Sequence, residues 1–166
     1  HAAECVRRIR AAVPDMTVGA GTMLSPAQID EARAAGAQFG VSPGFNPTVI
    51  GHAVAAGFPF VPGVMTPGEM EQSVELGCPL VKLFPAAAAG SLDFIKAGAA
   101  PYAHTALRLI PLGGIKERNL AGYLRLPLVA KLPFFCKSPF HEGQARRRWP
   151  HRGPKGHALS AAPHAP

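Results

Sequence analysis

One rhythm constrains this chain more than any other feature. Short apolar runs begin near residues 17, 39, 58, 80, 107 and 126, and each of the first five is followed by a helix-like stretch. Three of those stretches open on Ser25-Pro26, Asn46-Pro47 and Thr66-Pro67. A Ser, Asn or Thr oxygen accepts from the orphan N–H groups of a helix start, and a proline just inside it loses no bond. The spacing predicts helices over 2–12, 26–35, 47–57, 67–76, 91–97 and 116–125. It predicts strands over 17–22, 39–44, 58–64, 80–85, 107–112 and 126–130. Repeated strand–helix units of this size imply parallel strands joined by right-handed crossovers. Either an open doubly wound sheet or an eight-stranded barrel would satisfy them. Small turn residues close strand after strand: Gly21-Thr22, Pro43-Gly44, Pro62-Gly63, Pro85 and Gly113-Gly114. Tight turns gathered at one strand end suit a barrel mouth. The expected fold is therefore α/β, a partial TIM barrel with about six of its eight parallel strands.

Within that frame Leu80-Val81-Lys82-Leu83-Phe84-Pro85 stands out, apolar except for one lysine. Alternation sets Lys82 on one face with Leu80 and Phe84, and Val81 and Leu83 on the other. Among such neighbours the ammonium is partly desolvated. That lowers its pKa and suits a Schiff-base lysine. The competing reading is a lysine that reaches the strand end and stays charged.

Charge divides the chain. Residues 131–166 carry seven basic groups against Glu142, a net +6, while the preceding 130 residues hold ten basic and nine acidic groups. The basic stretch is rich in proline, arginine and histidine and has no helical or strand period, so it reads as a disordered tail, 131–166, after a barrel unit, 1–130. Its Arg146-Arg147-Arg148-Trp149 cluster could meet nucleic acid by charge and stacking, but a solvated tail is the preferred reading and nucleic acid is disfavoured. Cys5, Cys78 and Cys136 are scattered, odd in number and in no metal spacing, which suggests a reduced, cytoplasmic setting. No run is long and apolar enough to suggest a membrane partner, and no secretory leader is expected.

Five segments stand in the order of one family: Val18-Gly19-Ala20-Gly21-Thr22, Val41-Ser42-Pro43-Gly44, Val61-Pro62-Gly63-Val64, Val81-Lys82-Leu83-Phe84-Pro85-Ala86 and Pro111-Leu112-Gly113-Gly114-Ile115. Over residues 2–130 the chain resembles the bacterial 2-keto-3-deoxy-6-phosphogluconate (KDPG) / 4-hydroxy-2-oxoglutarate (KHG) aldolases. The resemblance implies a class I aldolase on a TIM barrel, an aldehyde-lyase, trimeric when intact, with no metal or organic cofactor. It assigns Lys82 as the Schiff-base lysine and Thr22 to the pyruvate carboxylate. Pro43 and Phe84 would line the pocket. Gly113 and Gly114 would hold the substrate phosphate by their backbone N–H groups, which physics supports, since consecutive turn amides bind anions well.

The resemblance is not complete. The family's general base, a glutamate with an arginine a few residues on, is expected upstream of His1. Leu112 replaces a threonine, and Ala87 replaces a glutamate. The final strand's share of the phosphate site is not matched after Val129-Ala130. The 166-residue chain alone is thus expected to cleave its substrate poorly. An inactive remnant, a basic-tail interaction protein or a barrel acting on other phosphorylated substrates are the alternatives.

Overall fold

The computed structural model describes residues 2–130. In chain order these are α1 (Ala2–Ala12), β1 (Gly19–Ala20), α2 (Pro26–Ala34), β2 (Phe39–Val41), α3 (Pro47–Ala55), β3 (Phe60–Val61), β4 (Gly63–Val64), α4 (Pro67–Glu75), β5 (Leu80–Leu83), α5 (Ser91–Ala99), β6 (Arg108–Pro111) and α6 (Glu117–Leu124), with a 3₁₀ turn at Ala100–Tyr102. The strands pair only in parallel, in the orders β1-β2-β3 and β4-β5-β6. The structure is thus an α/β fold with the sequential parallel pairing of a partial barrel. The expectations for residues 131–166 lie outside the described residues.

The three Ser/Asn/Thr-Pro starts cap as expected. Asn46 Oδ1 accepts from the N–H groups of Thr48 at 3.0 Å and Val49 at 3.4 Å. Ser25 Oγ accepts from Gln28 N–H at 3.4 Å. At α4 the cap is reciprocal: Thr66 Oγ1 accepts from Glu69 N–H while Glu69 Oε2 accepts from the N–H groups of Met65 and Thr66 and from the Thr66 hydroxyl. Burial pushes the Glu69 carboxyl up, but these three donors outweigh it and hold its pKa below the ordinary value. Each such cap contributes about 1 kcal/mol.

Two of the expected strands come out differently. The run 58–64 divides at Pro62, with β3 pairing to β2 and β4 to β5. Pro62 faces β5, and on the β2 side the next donor after Val61, Gly63 N–H, goes to the Ser42 hydroxyl at 3.2 Å instead of a carbonyl. The ladder is interrupted, but the chain runs on, and Pro62 O accepts from Lys82 N–H at 2.8 Å. The second difference is at 126–130, where the expected strand contracts to one bridge, Leu109 with Val129. Turn bonds from Leu126 N–H to Tyr123 O and from Val129 N–H to Leu126 O occupy its start.

Alternation sorts the sheet into two faces. On the helix side, Ala20 and Phe60 pack with Ile29, Val49, Ile50 and Ala53. Val81, Leu83 and Leu109 pack with Met70, Ile95 and Tyr123. The opposite face carries Phe39, Val41, Val61, Leu80, Lys82 and Ile110, all half-buried. Burying a Val, Leu or Ile side chain is worth about 1.5–3 kcal/mol, so the helix side carries the stability and leaves the other face for other work.

Candidate active site

Lys82 sits in the middle of that second face. Its strand neighbours are Gly63 on β4 and Ile110 on β6. Val81 and Leu83 on either side are fully buried against helices, whereas Lys82 is half-buried. Burial pushes its pKa below that of an ordinary lysine. Its Nζ stands 4.2 Å from the centre of the Phe84 ring. The ring's quadrupole favours the ammonium and so opposes the desolvation.

The glycine pair is drawn to the same place. Leu112 N–H donates to Leu83 O, Ala86 N–H to Leu112 O and Ala87 N–H to Gly113 O, so the segments after β5 and β6 run side by side. Gly113 and Gly114 have φ of 91° and 78°, successive left-handed positions that favour glycine. A Cβ on Gly113 would lie 3.2 Å from Phe84 Cε2, and one on Gly114 would collide with Ala87. Among the described residues the N–H groups of Gly113 and Gly114 have no acceptor. Lys82, the Phe84 ring and the Gly113-Gly114 turn therefore form one contiguous group.

Pro43 lies one strand away. Its carbonyl presses on Gly63 so closely that a Cβ there would collide with it. Thr22 follows β1 with φ of 59°, a strained value for a β-branched residue. That turn lets Met23 N–H reach Val41 O at 3.1 Å. Thr22 borders a depression with Ala3, Val6 and Gln28 whose lining does not include Lys82. Ser42, to which sequence reasoning gave no role, is 3% exposed, donates to Gly44 O at 2.8 Å and accepts from Gly63 N–H. Its signal was its place inside Val41-Ser42-Pro43-Gly44, where a buried hydroxyl has to find partners.

Residues 1–133 match the family of KDPG and KHG aldolases. The chain belongs to that family. It is 46% identical to the 2-dehydro-3-deoxy-phosphogluconate aldolase of Treponema pallidum over 77% of this chain and 60% of that one. It is 38% identical to the KHG/KDPG aldolase of Escherichia coli K12 over 77% and 59%. The KDPG aldolase of Legionella pneumophila, solved with pyruvate captured as a covalent carbinolamine, superposes with a TM-score of 0.72 at 33% identity. That match covers 76% of this chain and 61% of the other. The KDPG aldolase of Zymomonas mobilis with 3-phosphoglycerate gives 0.71 at 35%, over 76% and 59%. The chain spans about 60% of the length of the curated aldolases it matches. No helix among the described residues is long and apolar enough to cross a membrane.

Proposed function

We propose that the protein is a class I aldolase. It would cleave 2-keto-3-deoxy-6-phosphogluconate to pyruvate and glyceraldehyde 3-phosphate, 4-hydroxy-2-oxoglutarate to pyruvate and glyoxylate, or both. One observation carries this: a half-buried lysine with a lowered pKa, under an aromatic ring that touches a Gly-Gly turn with open N–H groups. The neutral Lys82 amine attacks the C2 ketone of the sugar acid. A carbinolamine forms, water leaves, and the iminium draws electrons from the C3–C4 bond once a base takes the C4 hydroxyl proton. The aldehyde departs and the enamine is protonated at C3; hydrolysis returns pyruvate and the free lysine.

The remaining assignments belong to the same proposal. Thr22 binds the pyruvate carboxylate, Pro43 and Phe84 line the pocket, and Gly113 and Gly114 hold the phosphate with their N–H groups. The barrel unit comprises 1–130, and 131–166 is a separate basic tail. The working assembly is a cytoplasmic homotrimer that needs no cofactor. The test is to incubate the protein with pyruvate, reduce with borohydride and locate the adduct by mass. An adduct on the Lys82 peptide that Lys82→Ala abolishes is expected. A stable fold with no adduct would overturn the proposal.

A further inference from the structure

Two large apolar side chains beside Lys82 are left in solvent. Phe84 is 38% exposed and Leu112 40%. Neither packs into a core cluster among the described residues. The pairing of Leu83 with Pro111, carried one residue on, sets Leu112 beside Phe84, on the face that carries Lys82 and Ile110. Both backbone bonds that flank Leu112, from its N–H to Leu83 O at 2.9 Å and from Ala86 N–H to its own O at 2.7 Å, hold it there. The other exposed large hydrophobics, Ile9, Val13, Met16, Leu24 and Val54, lie on or beside helices. An apolar pair on rigid backbone next to a reactive amine gains by covering itself with apolar atoms of whatever the amine binds.

We propose that Phe84 and Leu112 form an apolar wall through which Lys82 selects 2-oxo acids that carry an alkyl substituent on C3, such as 2-oxobutyrate, over pyruvate. The proposal rests on Lys82 being the Schiff-base lysine and adds what that lysine prefers. The chemistry is the same for both acids. The lysine nitrogen bonds to C2, the ketone oxygen leaves as water with both amine protons, and a carbon–nitrogen double bond remains. Borohydride delivers hydride to C2, and a secondary amine records the event. Only the C3 substituent differs, and the wall is the part of the site that can sense it.

One buried methylene is worth about fourfold in affinity. The 166-residue protein is therefore incubated with graded pyruvate or 2-oxobutyrate, reduced, and the Lys82 adduct quantified by mass. The half-saturating concentration of 2-oxobutyrate is expected to be about fourfold lower than that of pyruvate. That ratio should shrink from the native protein through Leu112→Val to Leu112→Ala. Leu112→Thr, close in shape to Leu112→Val but carrying a hydroxyl, should show the smaller preference of that pair. A ratio that stays constant across the three variants, or a native protein that prefers pyruvate, overturns the wall while Lys82 remains the Schiff-base residue. Absence of both adducts in the folded native protein overturns the Schiff-base reading and the wall with it.

Discussion

Lys82 Nζ stands 4.2 Å from the centre of the Phe84 ring, and a Cβ on Gly113 would lie 3.2 Å from the edge of that ring. One side chain thus touches both the amine that would attack the ketone and the turn that would hold the phosphate. Phe84 does two opposing things to the lysine. It removes water, which favours the neutral amine, and it presents a negative ring face, which favours the ammonium.

Those effects can be separated. Phe84→Leu keeps most of the apolar cover and removes the ring face. The ammonium then loses a partner worth about 0.5–1 kcal/mol, so the Lys82 pKa should fall further, by roughly half a unit. A lysine reacts as the neutral amine, so its reactivity rises with pH through its pKa. In the native protein the midpoint of that rise should lie below the ordinary value of 10.5. It is read from the pH dependence of Lys82 labelling by an amine-reactive reagent. A midpoint that moves up in Phe84→Leu would show that the ring acts mainly as cover.

Thr22 offers a second test. A left-handed β-branched residue costs about 1–2 kcal/mol, and glycine would relieve that at an entropic cost of about 0.5–1 kcal/mol. Thr22→Gly should therefore leave the fold as stable as before or up to about 1.5 kcal/mol more stable in denaturant titration. Pyruvate trapping on Lys82 should weaken in the same variant, because the hydroxyl assigned to the carboxylate is gone. Undiminished trapping would remove Thr22 from the site.

Gly113→Ala acts in the opposite direction. At φ of 91° an alanine costs about 1–2 kcal/mol, and its Cβ would stand 3.2 Å from both Phe84 Cε2 and Pro85. We expect loss of stability of that size. Protection of Lys82 from labelling by inorganic phosphate should also disappear, since relieving that strain shifts the turn whose amides would bind the anion. Retained phosphate protection in a correctly folded variant would place the anion elsewhere.

The elements that were legible in the sequence are those fixed by neighbours a few residues away. Asn46-Pro47 and Thr66-Pro67 announce helix starts because the cap and its donors lie within one turn. Alternation along Leu80–Leu83 likewise puts Lys82 opposite Val81 and Leu83. The division of 58–64 was not legible, because it depends on which strands flank Pro62 and on a hydroxyl 20 residues earlier, Ser42. The contact of Phe84 with Gly113 was hidden for the same reason: it is made by the register of β5 against β6. Family motifs named both residues, but their meeting is a property of the pairing.

The same register bears on turnover. Reading across the strands, the residues that share the Lys82 face are Gly19 with Phe39, Val41 with Val61, Gly63 with Lys82 and Ile110, and Leu80 with Arg108. None is a carboxylate, so on the described strands nothing beside Lys82 can take the C4 hydroxyl proton. A positioned general base typically contributes about 10²–10⁴-fold. The 166-residue polypeptide is therefore expected to form the borohydride-trapped pyruvate adduct on Lys82 yet release pyruvate from the phosphorylated keto acid at least about 10²-fold more slowly than the Treponema pallidum aldolase. Pyruvate release is followed by a coupled lactate dehydrogenase assay, with Lys82→Ala as the blank. Release at the rate of that relative would mean that a proton acceptor from another part of this polypeptide reaches the lysine. Replacing each of its ten acidic residues in turn would then find it.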